Sequence, residues 1–213
     1  MTESEWLACD WPHDMLRHLD GKLDDEAFMR FSVLCCRRVW PLLSDSRSRE
    51  VVKATEAYLA GQLTAEAAAP ILEEWERAHQ AGEVNDLAGG CTNEALESVC
   101  GIGFGHAAQV AKACIESAGY AASDSLRVAD APQPQITEAW LAAELAERLA
   151  QCQLLRQLFG YRSESGSKAA DSGAQTDRGG TWRLQSSTLH RPRRQVSSGR
   201  PAADGILRCV KIG

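Results

Sequence analysis

The chain has 213 residues, 44% of them hydrophobic, which is enough for one domain or one and a half with a real core. Charged residues make up 24% and mean hydropathy is -0.30, and no apolar run approaches the roughly 20 residues of a membrane span, so an integral membrane protein is not expected. Ala supplies 32 residues while Val, Ile and Thr together supply 24, a balance that favours helix over sheet.

The opening Met1-Thr2-Glu3-Ser4-Glu5-Trp6 is acidic where a secretory signal is basic, so the expected location is the cytoplasm. Asp10 stands before Trp11, Pro12, Met15, Leu16 and Leu19, with Gly21 behind, and reads as the cap of a short helix. Asp24 caps a second helix with Asp25 and Glu26 in its first turn. There Phe28, Phe31, Leu34, Cys35 and Val39 recur at helical steps, and Arg37 and Arg38 sit near the negative end. Pro41 bars simple continuation. Ser44-Asp45 restarts a segment with Val51, Val52, Thr55, Tyr58 and Leu59 on one face, closed by Gly61. Thr64 caps an Ala-rich run carrying Ile71, Leu72 and Trp75, in which Pro70 is expected to kink the helix or begin a new one.

Residues 82–93 read as a loop. A brief apolar stripe, Ala95, Leu96, Val99 and Cys100, predicts a helix before the glycines at 101, 103 and 105. Another is predicted from His106 to Ala122. Pro132 and Pro134 predict a linker, after which Trp140, Leu141, Leu145, Leu149, Cys152, Leu155 and Phe159 predict a long helix from Ile136 with those residues as its apolar stripe. Gly160 closes it. The expected architecture is all-α, an antiparallel helical array or bundle over 1–160, followed by a disordered basic tail over 161–213.

Charge divides the chain at the same point. From Tyr161 onward 10 Lys/Arg face 4 Asp/Glu, a net +6, which leaves 13 against 25, a net -12, for residues 1–160. The acidic body argues against nucleic-acid binding by Arg37, Arg38, Arg47 and Arg49, its only basic cluster, and leaves weak, non-specific binding to the tail.

Met1-Thr2-Glu3, Glu5-Trp6-Leu7 and the run Cys35-Cys36-Arg37-Arg38-Val39-Trp40, together with Leu154-Leu155-Arg156 and Leu158-Phe159-Gly160, resemble an uncharacterised family found in many copies in planctomycete-type bacteria. The resemblance covers both ends of the first 160 residues. It implies a helical body and carries over no activity, cofactor or catalytic residue. In that family Phe-Gly is usually followed by Asn-Pro-Phe-Arg-Pro and further helices, whereas here a Ser-, Gly- and Arg-rich tail begins. Shifting the reading by one nucleotide can turn 164–184 into a proline-bounded segment with a helical apolar period, so the break is read as a frameshift. A plain basic tail is the alternative, and either way no packed core is expected there.

No pattern specifies a reaction, and enzyme function is not expected. Eight cysteines without any C-x-x-C read chiefly as small core hydrophobes in a reducing compartment. Cys9, His13 and His18 with Cys35 or Cys36 form a weak zinc set, and Cys91, Cys100, His106 and Cys114 a weaker one, because neither has the spacing of a paired knuckle. Gly101-Ile102-Gly103-Phe104-Gly105 lacks the Gly-Lys-Ser/Thr of a phosphate loop and reads as a helix connector. Cys100 with His106 is the nearest thiol–imidazole pair along the chain, but chain proximity is poor evidence for a nucleophile. Trp6, Trp11, Trp40, Trp75 and Trp140 read as core and helix-contact residues. The function these readings favour is a non-enzymatic helical protein-interaction module with no cofactor and an unidentified protein partner; the alternative is a zinc-binding helical protein.

Overall fold

The computed structural model describes residues 1–84 and 103–162. Among these it is all-α, with seven α-helices, a 3-10 turn and no strand. Helix α1 (Glu3–Ala8) begins with a reciprocal cap: the Glu5 N–H donates to Thr2 Oγ1 at 3.2 Å, and the Thr2 N–H donates to Glu5 Oε2 at 2.7 Å. This helix was not among those expected, although Thr-x-x-Glu stands plainly in the sequence. It exists to deliver one side chain, Trp6, which is 1% exposed.

Helix α2 (Pro12–Leu19) follows, and here the expected cap is corrected. Trp11, not Asp10, occupies the cap position without a side-chain hydrogen bond, and Asp10 turns instead to Arg148 of the last helix at 3.2 Å. Pro12 explains why the helix starts without a cap, since its ring fixes φ and it has no N–H to satisfy. Helix α3 (Asp25–Arg38) begins as expected, with the Ala27 N–H donating to Asp24 Oδ1 at 2.8 Å. Its buried residues, Phe28, Met29, Phe31, Ser32, Val33, Cys35 and Cys36, spread round the helix because neighbours cover it on several sides.

Trp40–Leu42 form the 3-10 turn that Pro41 permits, and α4 (Ser46–Leu59) starts at the Asp45 cap. Gly61, at φ 70°, turns the chain into α5 (Ala65–Gln80), capped by Thr64 and laid against α4 with Trp75 Nε1 donating to Ser48 Oγ at 3.2 Å. Pro70 does not begin a new helix: α5 runs through it without a break. The missing N–H would have served the carbonyl of Glu66, on the exposed first turn, while Ala68, Leu72, Trp75 and Ala78 hold the face on both sides of the proline in the core.

Helix α6 (Phe104–Val128) and α7 (Gln133–Phe159) form a long antiparallel hairpin, the most extensive helix contact among the described residues. Both are longer than expected. Pro132 and Pro134 are not a linker but the cap and first turn of α7, and the connection is the short stretch 129–132 with Asp130 at φ 54°. The hairpin closes tightly at Gly119, where an added Cβ would lie 2.9 Å from Trp140 Cε2, and the Tyr120 and Trp140 rings meet edge to face at 4.2 Å. Helices α2 and α3 lie across this hairpin, with α4 and α5 outside α3.

The boundary after Gly160 also shifts. The Tyr161 ring stacks on His18 at 5.7 Å and its hydroxyl donates to the Met1 carbonyl at 3.2 Å, while the Arg162 carbonyl accepts from Lys22 Nζ at 3.3 Å. The body therefore extends to Arg162. The expected helix at 95–100, Cys91, Cys100, Cys209, and the tail with its frameshift reading lie outside the described residues. No helix among the described residues is long and apolar enough to cross a membrane.

Candidate functional site

The structure disperses the first metal set, Cys9, His13 and His18 with Cys35 or Cys36. Cys9 Sγ donates to the Trp11 carbonyl at 3.4 Å, His13 packs its ring at 5.4 Å from Phe104, and His18 lies between Trp6 and Tyr161. Cys35 and Cys36 are in the core on α3. Among the described residues no group of three or more Cys, His, Asp or Glu side chains is placed to hold a metal ion. Of the second set, His106 is exposed in the first turn of α6 and Cys114 is buried two turns later.

Three of the buried thiols are held toward their neutral form. Burial pushes Cys35 well above the ordinary thiol range, helped by neighbouring Cys36. A hydrogen bond with Cys36, and then burial, does the same to Cys114. Burial takes Cys152 to about 12. Since the thiolate is both the nucleophile and the metal ligand, these three cysteines act as apolar filling at neutral pH. The Gly-rich run contributes Gly103, at φ 86° before α6, and Phe104 and Gly105 in its first turn; Gly101 and Ile102 lie outside the described residues.

The basic cluster is not a free cationic surface. Arg37 is paired with Glu56 and its guanidinium lies 4.0 Å from the Trp40 ring centre; Arg38 is paired with Glu147; Arg47 is paired with Asp45 and Glu83. Arg49 lies against the other reach of Trp40, at 5.5 Å. Three of the four arginines thus serve to join helices or helix ends, which a phosphate would have to displace.

Helix α7 departs most from expectation. Its buried face is Ile136, Glu147, Gln151, Cys152 and Leu155. A buried carboxylate, paired with the half-exposed Arg38, therefore occupies the core face. Glu147 accepts from Arg38 Nε at 3.0 and 3.1 Å and from Arg38 Nη2 at 3.0 Å, while Gln151 Nε2 donates to Glu147 Oε1 and to the Ala111 carbonyl, each at 3.1 Å. This polar network ties α3, α6 and α7 together, and the pairing holds the Arg38 guanidinium charged.

Leu141, Leu145 and Leu149, expected in the core stripe, instead remain 58%, 44% and 45% exposed. The physical reason lies in the segment Leu141-Ala142-Ala143-Glu144-Leu145-Ala146-Glu147-Arg148-Leu149-Ala150-Gln151-Cys152, which repeats Leu-Ala every four residues. Steps of four drift round a helix with 3.6 residues per turn, so this row turns away from the buried face as it runs from Leu141 to Leu149. The next member of the row, Gln153, is exposed as well, while Cys152 and Leu155 beside it are covered and Arg156 donates to the Trp6 and Cys9 carbonyls. The uncovered leucines border a shallow shelf of about 690 Å³ lined by Pro134, Thr137, Glu138, Leu141, Ala142 and Leu145.

On the other flank of this ridge, Glu144 and Arg148 edge a narrower groove of about 420 Å³ between the start of α2, α6 and α7. Its apolar walls are Trp11, Phe104 and Ile115. Trp11 was expected in the core but is 44% exposed, with the Arg148 guanidinium 4.7 Å from its ring centre. Of the other tryptophans, Trp6 and Trp75 are core residues as expected.

The α7 face thus presents a row of exposed leucines beside an apolar shelf. No protein-family model matches the chain, and comparisons with curated proteins and with solved structures find no match either.

Proposed function

We propose that this protein is a non-enzymatic interaction module that binds a partner helix on the exposed Leu141–Leu145–Leu149 row of α7. One observation supports the reading: three leucines in a continuous row stay open on a helix whose inner face is anchored by the buried Glu147 carboxylate paired with Arg38. Single exposed leucines are ordinary, whereas a row with an apolar shelf beside it is the surface an amphipathic helix covers with anchors at steps of three and four. The resemblance to the planctomycete-type family is consistent with a role carried by a helical surface, and a cytoplasmic location with the free state of the five cysteines among the described residues.

Placing a photo-crosslinking residue at position 145 tests this. The expected result is a discrete protein adduct from position 145, in cells or in concentrated solution, and none from the same residue at exposed Glu73 on α5. Adducts from neither position, or equally from both, would refute the reading.

A further inference from the structure

We infer that the groove between the start of α2, α6 and α7 binds a small organic amine: a primary ammonium on an apolar, ring-bearing body, with the Glu144 carboxylate as its counter-ion. This groove lies on the flank of α7 away from the leucine shelf, so the inference stands apart from the interaction reading. Its volume of about 420 Å³ falls within the roughly 300–1,000 Å³ of small-ligand pockets, and Trp11, Phe104 and Ile115 wall it with apolar surface.

What the groove takes is decided by which of its charges are already matched. Its titratable side chains are His13, Lys112, Glu116, Glu144 and Arg148. Arg148 Nη2 is 3.2 Å from Asp10, and the guanidinium lies over the Trp11 ring. Its Nε has no hydrogen-bond partner but is buried, out of a ligand's reach. Lys112 is 3.6 Å from Glu116, one turn further along α6. His13 packs its ring against Phe104. Glu144 is the charged group of this groove that has no ion-pair or hydrogen-bond partner among the described residues.

That isolation runs against local chemistry. Glu followed by Arg four residues on is the favoured order for an ion pair along a helix, so Glu144 and Arg148 are expected to pair. Arg148 is instead drawn across to Asp10 and Trp11 at the entry to α2, and the carboxylate stays open at the groove edge. An anion entering the groove would have to displace Asp10 or Glu116 from its cation, whereas an ammonium finds Glu144 unmatched. Beside apolar walls, such a charge-assisted contact is stronger than the same pair in open water. The net charge of -12 over residues 1–160 draws cations to the surface.

The groove also orients the amine. Glu144 lies at the Ile115 end, its stem packed over Gly119, while Phe104 lies at the other end, about 16 Å away along α6. The ammonium therefore sits at Glu144 and the ring lies toward Trp11 and Phe104, whose own rings offer aromatic contacts.

Isothermal titration calorimetry of the full chain with phenylbutylamine, phenylbutanol and phenylpentanoate tests this. The three probes carry the ring and the polar group at opposite ends of one apolar body and differ in charge. One amine should bind per chain, at least tenfold more tightly than the alcohol or the acid, and should shift the Trp11 indole N–H resonance. Glu144→Gln keeps the stem over Gly119 and should leave the unfolding midpoint unchanged, yet bring the amine down to the affinity of the alcohol. Glu73→Gln, on the exposed side of α5, should leave amine binding as it is. An absence of saturable amine binding would overturn the inference. So would an acid that binds as tightly as the amine, an amine preference that survives Glu144→Gln, or an unmoved Trp11 resonance.

Discussion

Removing Arg38 isolates the consequences of the polar network inside the helix array. Glu147 has a side chain only 8% exposed and receives three of its hydrogen bonds from the Arg38 guanidinium and one from Gln151. Arg38→Ala leaves that carboxylate in the core with a single amide donor. Breaking a buried pair from one side costs about 3–5 kcal/mol, but Arg38 is 39% exposed, so water partly replaces it and the expected loss is about 2–3 kcal/mol. Arg38→Met combined with Glu147→Leu removes both charges and the stranded carboxylate, and should recover most of that loss, leaving the chain within about 1 kcal/mol of wild type. Urea unfolding followed by far-ultraviolet circular dichroism measures each value. A single-variant loss below about 0.5 kcal/mol would refute the argument, and so would a double variant less stable than Arg38→Ala, since no stranded carboxylate would then be the cause.

Two further outcomes follow from local geometry. Gly119→Ala improves helix propensity by up to about 1 kcal/mol but forces its Cβ to within 3.0 Å of the Trp140 ring, so a net loss of about 1–2 kcal/mol is expected in the same assay, and a net gain would show that the α6–α7 contact has slack. The Arg47 side chain and backbone hold Asp45 below its ordinary value of 3.8, so the stability it adds is complete above that value and is lost as pH falls through the lower, folded one. Unfolding midpoints measured from pH 5 to pH 2 should fall less steeply for Asp45→Asn than for wild type, and identical slopes would contradict the assignment.

The legible parts of the fold were those set by local chemistry. Asp24, Asp45 and Thr64 announce helix starts because a short oxygen-bearing side chain before an apolar period has few other uses, and all three cap as expected. Asp10 failed the same rule because a competing partner, Arg148, lies 138 residues away and is invisible to local pattern. Pro134 was misread because a proline that ends one helix looks the same in sequence as one that begins the next.

The candidate face was half legible. The apolar period puts Leu141, Leu145 and Leu149 in one stripe with Cys152 and Leu155, but only the last two are buried, because with apolar residues on both sides of α7 the period does not say which side faces the core. The signal that could have decided it was the Leu-Ala repeat at steps of four, together with Glu147 and Gln151. Polar residues one turn apart are the mark of an exposed face in most helices, and here they are inside only because Arg38 arrives from α3.

The claim that the α7 leucines are uncovered is tested most directly by comparing urea unfolding of Leu145→Ser with that of Leu155→Ala in dilute, monomeric protein. Leu155 is fully buried, so its truncation should cost about 3 kcal/mol or more, whereas Leu145→Ser should cost well under 1 kcal/mol. Equal losses at the two positions would mean that the row is core in the folded chain and that no open face exists.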